Sequence, residues 1–224
     1  MVHLRDYKGF GAGEWYHVFT RGNGKMNVFR EVQDYSVLLH RLQTALGTNA
    51  QDVQGMSKAP FGGIGGKERV RITPFKLGTF SLATYCLMPN HFHFLIRQNT
   101  EVSISSLFLR LLTSYSKYFN RKYDHVGHVF QDRFKAVHIG DDTQLLHVSA
   151  YIHQNPKVAG LVRRLERWPH SSYQEYLQET EGGLCDTTVL LEQFKNAREY
   201  TRYVEEAFDD IRARKDVQQA MIDV

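Results

Sequence analysis

The stretch Met88-Pro89-Asn90-His91-Phe92-His93-Phe94-Leu95-Ile96 decides how the rest of the chain is interpreted. An apolar run, Phe80–Leu87, precedes it, so the pattern predicts two strands separated by a short Pro-Asn interruption. Because side chains on a strand alternate between its faces, His91 and His93 are expected to point the same way. Two imidazoles on one face are a ready pair of metal ligands, and a strand with two exposed histidines is the simpler alternative.

The composition indicates a soluble, mildly basic globular protein. The 224 residues are 42% hydrophobic and carry a formal net charge of +4, which permits a polyanionic partner without requiring one. No apolar run approaches the ~20 residues that span a bilayer, and Met1–Lys8 lacks the apolar core of a signal peptide. Two cysteines, Cys86 and Cys185, do not make a disulfide framework. A cytoplasmic protein without a membrane partner is therefore expected.

The chain before the histidines predicts a strand, a helix and a loop. Residues 14–22 are rich in aromatic and β-branched types and end at a glycine-rich turn, as a first strand would. Arg21, at its end, can meet a phosphate or simply be solvated. Asp34 is expected to cap a helix, because apolar residues follow it at the helical period. Residues 50–67 predict a flexible Gly-rich insertion that lacks the spacing of a phosphate-binding P-loop.

A second long helix and a basic, aromatic loop follow the histidines. Val102–Lys122 carries one apolar and one basic face at helical spacing. Gly127–Lys135 interleaves Arg133 and Lys135 with phenylalanines. Such a segment suits a nucleic acid, since cations bind phosphates and rings stack on bases. An ordinary loop anchored by its aromatic residues is an equally good interpretation.

The segment Asp141–Pro156 predicts a helix that an aspartate caps and a proline ends, at about Gln154. His147, Tyr151 and Asn155 are spaced four apart and so share one face. Tyrosine supplies a phenol nucleophile, and asparagine supplies a carbonyl oxygen for a metal. Together with the strand histidines, they predict two imidazoles and an amide oxygen around a divalent ion. The alternative is a helix end where the asparagine caps and the tyrosine packs.

Five blocks of the chain resemble the HUH-superfamily transposases that use a single tyrosine, and especially their REP-associated branch. The blocks occur in the family's order over most of residues 14–176 and are Trp15–Gly22, Tyr85–His93, Gly127–Lys135, Tyr151–Pro156 with Ala159–Val162, and Trp168–Tyr173. The Met-Pro-Asn-His-x-His and Tyr-Ile-x-x-Asn-Pro blocks are highly specific together, whereas either alone is a weaker signal.

The resemblance implies an α+β fold, a ferredoxin-like or RRM-like sandwich whose antiparallel sheet carries helices on one face. Residues 1–180, with the insertion, would form the catalytic domain. Residues 181–224 would form a helical C-terminal extension, in agreement with apolar residues at helical spacing from Val189 onward. Either a monomer or a homodimer would fit this organisation.

Carried over residue by residue, the resemblance makes His91, His93 and Asn155 the metal ligands and Tyr151 the nucleophile. Mg²⁺ or Mn²⁺ is the ion expected of the family, and imidazole ligands suit Mn²⁺. The implied activity is metal-dependent cleavage and rejoining of single-stranded DNA, through a 5′-phosphotyrosine intermediate, at hairpin-flanked sites.

The phenol has an ordinary pKa near 10, so it needs the metal's field or a base to ionise, and His147 or His153 are the candidate helpers. The alternative on the same fold is a catalytically silent DNA-hairpin-binding module or regulator. A phosphodiesterase acting on small nucleotides is less well supported, because it would need a second histidine motif or several converging aspartates.

Four residues are expected to contact DNA. Family members of the REP-associated branch begin with a Gly-Thr-Trp type motif that touches their hairpin DNA. Trp15 matches its tryptophan, and Glu14 replaces its threonine, so contact with a hairpin could differ here. Arg21, Arg133 and Lys135 are expected to bind the DNA backbone.

Overall fold

The structure is a computed structural model that describes residues 9–47, 72–177 and 183–213. The predicted insertion at 50–67 and the predicted domain boundary at 180 lie outside these ranges. Within the described ranges, no helix has the length and apolar character needed to cross a membrane.

The first six elements alternate as β-α-β-β-α-β, and further helices follow. They are β1 (Trp15–Arg21), α1 (Val32–Leu46), β2 (Phe80–Met88), β3 (His91–Gln98), α2 (Ile104–Tyr123), β4 (Lys135–Ile139), α3 (Asp142–Val158), α4 (Tyr173–Leu177), α5 (Thr188–Leu191) and α6 (Ala197–Glu206). The described strands form one antiparallel sheet in the order β2-β3-β1-β4. The predicted ferredoxin-like α+β class is confirmed.

The sheet buries both of its faces because its strands carry apolar residues on both sides. Val18, Phe92 and Phe94 join α1 and α2 in one core cluster, as the predicted layer of helices requires. Ala83 and Leu95 join α3 and the C-terminal helices in a second cluster. Helices therefore cover both faces rather than one, since the apolar residues on the second side of β2 and β3 also need to be shielded from water.

The C-terminal helices pack directly on α3. Tyr200 of α6 is completely buried. The side-chain amide of Gln154 on α3 donates to the carbonyl of Val204, 2.7 Å away, and Lys157 forms an ion pair with Glu205. The described part of the predicted extension is thus helical, and it holds the outer side of α3.

The prediction that Asp34 is the N-cap of α1 is wrong. Glu31 occupies the N-cap, and Asp34, three residues on, completes a capping box with it. The Asp34 carboxylate is fully buried and also accepts hydrogen bonds from Tyr118, Lys122 and Tyr123 of α2 at 2.6–2.8 Å. Burial alone would raise the pKa of Asp34, but these hydrogen bonds outweigh it and hold the pKa below its ordinary value.

Replacing Asp34 by asparagine should lower the free energy of unfolding at pH 7 by about 2 kcal/mol, because the half-buried Lys122 ammonium loses its buried carboxylate partner and keeps only the exposed carboxylate of Glu31. Since the folded pKa of Asp34 is depressed, this stabilisation is present above the ordinary pKa of aspartate. The deficit should therefore shrink as the pH falls below about 4. Urea unfolding at several pH values measures both effects.

Asp124→Asn is the matched control for this substitution. Asp124 is exposed at the C-cap of α2 in the left-handed region, which asparagine also tolerates. Its stability should change by less than about 0.5 kcal/mol. Equal losses in the two variants would contradict the role assigned to the buried carboxylate.

Candidate active site

The two central strands place five polar or aromatic side chains on the face of the sheet opposite α1 and α2. In the β1–β3 register, Arg21 lies opposite His91, and Phe19 lies opposite His93. The rings of His17 and Phe19 contact the His93 ring, with centroids 5.1 and 5.8 Å away, and the His91 ring lies 5.1 Å from it. His91 and His93 share a face, as the alternation predicted.

Helix α3 lies against this face and brings Tyr151 to the histidines. The centroid of the Tyr151 ring is 5.5 Å from that of His93 and 5.8 Å from that of His17, both in edge-on geometry. Asp141 caps the helix by accepting from the backbone of Gln144, as predicted. The strand pair and the later helix therefore form one site within a single chain.

The helix does not end before Pro156 as predicted but continues to Val158. A proline removes a single donor, and in the last turn the ladder resumes beyond it, because the amide of Ala159 donates to the carbonyl of Asn155. The extra turn keeps Asn155 inside the helix and over the sheet.

Asn155 and Tyr151 are coupled on successive turns of α3. The amide nitrogen of Asn155 donates to the backbone carbonyl of Tyr151 at 2.9 Å, and its side chain is almost completely buried. Burial raises the pKa of Tyr151, while a hydrogen bond from Asn155 and the charge of Arg21 act in the opposite direction. The phenol is therefore protonated at neutral pH and would need activation to act as a nucleophile.

Both strand histidines have a defined partner at Nδ1. His91 Nδ1 lies 2.6 Å from Oδ1 of Asn90, and His93 Nδ1 lies 2.9 Å from Nε2 of His17. Their Nε2 atoms and Oδ1 of Asn155 make a chemically suitable donor set for a divalent cation. Within the described ranges, no three His, Cys, Asp or Glu side chains converge as a metal cluster, so such a site depends on the amide as third ligand.

Of the two predicted helper histidines, only His147 lies on the same helix face as Tyr151, one turn earlier and half-buried. His153 points into the second core cluster. Its Nε2 lies 3.0 Å from the Ser172 hydroxyl and its Nδ1 lies 3.1 Å from the Tyr200 hydroxyl. Burial lowers its pKa to about 3, and it packs against tyrosines of α4 and α6. His153 is a buried core residue and not part of the site.

His17 is the site residue that the sequence analysis missed. It is almost completely buried, and burial lowers its pKa to about 4, so its ring is neutral at pH 7. A signal was available in the sequence: His17 sits between Trp15 and Phe19 in the alternation of the first strand, opposite in direction to Tyr16 and Val18. His17 lies close to His93 because β1 pairs with β3, and the positions of the two residues in the sequence do not predict that pairing.

Three of the four predicted DNA contacts lie at one end of the site. The amide of Gln131 donates to the carbonyl of Arg21, which places the basic loop beside the end of β1. Arg133 and Lys135 are exposed on that loop and at the start of β4. Trp15 is half-buried at the opposite end of β1, six residues from Arg21, or about 20 Å along an extended strand.

Glu14, directly before Trp15 in the chain, interacts with the neighbouring strand β4. Its carboxylate lies 2.7 Å from Nε2 of His138 on β4. The residue that departs from the family motif therefore has a partner of its own in this chain.

Known proteins resemble this chain in sequence and in fold. A family model described as "Transposase IS200 like" matches residues 75–155, which include β2, β3 and most of α3. A Haemophilus influenzae (strain ATCC 51907 / DSM 11121 / KW20 / Rd) protein described as a REP-associated tyrosine transposase is 32% identical over 126 residues, covering 49% of this chain and 71% of that protein.

A solved structure shares the fold. It is described as a REP-associated tyrosine transposase bound to a REP hairpin, and it superposes with a TM-score of 0.55 at 17% identity. The match covers 82% of this chain and 90% of the other. At this level of identity the likeness concerns the fold alone.

Proposed function

Because the chain belongs to the REP-associated tyrosine transposases, a class of enzymes, we propose that it cleaves and rejoins single-stranded DNA through a covalent bond to Tyr151. The observation that carries the proposal is the approach of the Tyr151 ring to His93, 5.5 Å between centroids, inside one chain. A monomer can therefore complete the site without a residue from a second copy.

His91, His93 and Asn155 would hold Mg²⁺ or Mn²⁺, which withdraws charge from a scissile phosphate when bound. The chain supplies the nucleophile and its orientation. Tyr151 is packed edge-on against two imidazole rings and lies one helical turn from Asn155, so its position depends on rigid elements. The charge of Arg21 lowers the cost of forming the phenolate.

In the proposed reaction, the phenol oxygen of Tyr151 bonds to phosphorus while the bond from phosphorus to the 3′-oxygen breaks. The 3′-oxygen takes up a proton and leaves as a free hydroxyl, and the phenol's proton passes to His147 or to water. One phosphodiester bond replaces another, so the step can run backwards onto a different 3′-end without ATP.

The substrate would be single-stranded DNA beside a hairpin. A basic edge formed by Arg21, Arg133 and Lys135 borders the site and suits a DNA backbone. Trp15, at the other end of β1, would contact the hairpin. The fold neighbour's description, a complex with a REP hairpin, supports this assignment. Two cysteines without a disulfide suit a cytoplasmic enzyme.

The direct test is to mix the protein with a labelled single-stranded oligonucleotide that carries a hairpin, in Mn²⁺ or Mg²⁺. A covalent adduct on a denaturing gel, with mass spectrometry locating the nucleotide on Tyr151, is the expected result. Tight hairpin binding with no adduct in either metal would favour the alternative, a silent DNA-binding module.

The basic edge also gives a quantitative expectation for binding. Replacing Arg133 and Lys135 by alanine should weaken single-strand binding for all sequences alike, because phosphate contacts carry no sequence information. The slope of log affinity against log salt should decrease by about 0.7 for each lost phosphate contact. Fluorescence anisotropy over a KCl series measures it. Lys195→Ala, an exposed lysine between α5 and α6, should leave the slope unchanged.

A further inference from the structure

His17 contacts a metal-ligand candidate, and in the proposed reaction it makes only a packing contact with the Tyr151 ring. Its Nε2 lies 2.9 Å from Nδ1 of His93, both side chains are buried, and the two rings are inclined by only 23°. Two imidazole nitrogens at this distance share one proton, because two hydrogens between them would repel and none would leave two lone pairs facing each other.

The position of that proton decides what His93 can bind. If His17 carries it, His93 keeps its own hydrogen on Nε2 and cannot offer that atom to a cation. If His93 carries it on Nδ1, its Nε2 presents a lone pair. Which ring donates this hydrogen bond therefore decides whether His93 can bind a cation through Nε2.

The neighbouring histidine shows the same arrangement with a partner whose direction is fixed. The Asn90 amide nitrogen donates to the carbonyl of Lys25 at 3.2 Å, which turns Oδ1 of Asn90 toward Nδ1 of His91. An amide oxygen only accepts, so His91 carries its hydrogen on Nδ1 and presents Nε2 as a lone pair. A metal site that uses Nε2 of both imidazoles requires the hydrogen to be on Nδ1 in both histidines.

We propose that His17 is a positioning residue that accepts the Nδ1 hydrogen of His93 and so holds His93 in its cation-binding tautomer. Asn90 does the same for His91. The ring of Phe19, 5.0 Å from that of His17, packs beside the accepting ring and restricts its rotation. This inference rests on the proposed metal site, because it assigns His17 a role toward that site's ligand. Partners of this kind at metal sites typically contribute 10- to 100-fold in affinity.

The first test needs no metal. Nitrogen-15 labelling of the histidines, read by long-range proton–nitrogen correlation NMR, should show His93 protonated at Nδ1 in the full-length protein. His17→Gln retains an acceptor near the position of Nε2 and should preserve this state. His17→Leu removes the acceptor and should move the hydrogen of His93 to Nε2. An Nε2 hydrogen on His93 in the unsubstituted protein would overturn the inference.

The second test titrates Mn²⁺ by electron paramagnetic resonance. His17→Leu should weaken Mn²⁺ binding by about 10- to 100-fold, and His17→Gln should stay within about threefold of the unsubstituted protein. If the leucine variant does not fold, His17→Asn, which is too short to reach His93, replaces it. His138→Gln, a strand histidine on the opposite face, is the control. Unchanged Mn²⁺ affinity in the leucine or asparagine variant would refute the role of His17.

The two tests separate this inference from the proposed function. If the unsubstituted protein binds no Mn²⁺, the proposed metal site fails, whereas the NMR experiment still reports which ring carries the hydrogen. If Mn²⁺ binds and the adduct forms but His93 keeps its Nδ1 hydrogen in the leucine variant, only the role of His17 is lost.

Discussion

Replacing Tyr151 by phenylalanine should reduce the yield of covalent DNA adduct by more than about 1,000-fold, to below detection, while hairpin binding changes less than about threefold. The substitution removes one oxygen and keeps the ring in its edge-on contacts with His17 and His93. If Tyr151 had only a structural role, its replacement would lower the stability of the protein but would not abolish a covalent product.

The matched control is Tyr203→Phe. Tyr203 lies on α6, half-buried, and packs against Phe194 in the C-terminal part of the chain. Its variant should form adduct at the normal rate, which excludes a general effect of losing a phenol. Adduct formation by the Tyr151 variant at the level of the Tyr203 variant would remove Tyr151 from the proposed role.

Replacing His93 by alanine should slow adduct formation by about 100- to 1,000-fold at low Mn²⁺, because the proposed cation site would lose a ligand and the phosphate would lose its charge stabilisation. Raising the Mn²⁺ concentration should restore part of the rate, since the substitution weakens binding more than it changes the nucleophile. Initial rates over a Mn²⁺ series measure the effect. DNA binding without metal should be retained.

His138→Ala controls for the loss of a strand imidazole, because His138 lies on the opposite face of the sheet and contacts Tyr16. A thermal melt of both variants separates metal loss from unfolding, since the His93 side chain is buried. A His93 variant that folds and reacts at the normal rate in limiting Mn²⁺ would show that His93 is not a ligand.

Local patterns in the sequence were sufficient to predict the strands and the helix that carry the site residues. Strict alternation places His91 and His93 on one face, and the four-residue spacing places Tyr151 and Asn155 on another. The hairpin between β2 and β3 follows from the Pro-Asn interruption. These features depend on neighbours a few residues apart, which is the range over which backbone geometry fixes direction.

Other features depend on contacts between distant segments, and no local pattern contains them. His147 and His153 both lie near Tyr151 in sequence, and only the packing of Tyr200 against His153 shows which one belongs to the core. The periodicity of the C-terminal residues predicts that a helix buries one face, but not that it covers α3. Likewise, His17 acquires its partner across the sheet, 76 residues away.

The anchoring of α3 between the sheet and α6 has a consequence for strand exchange. Gln154 and Lys157 tie the outer side of this helix to Val204 and Glu205, while Tyr151 packs inward on the histidines. If Tyr151 is the nucleophile as proposed, these contacts oppose an outward swing of α3 with an attached DNA end. We therefore expect α3 to keep its position between strand cleavage and strand rejoining, so that the incoming 3′-end moves to Tyr151.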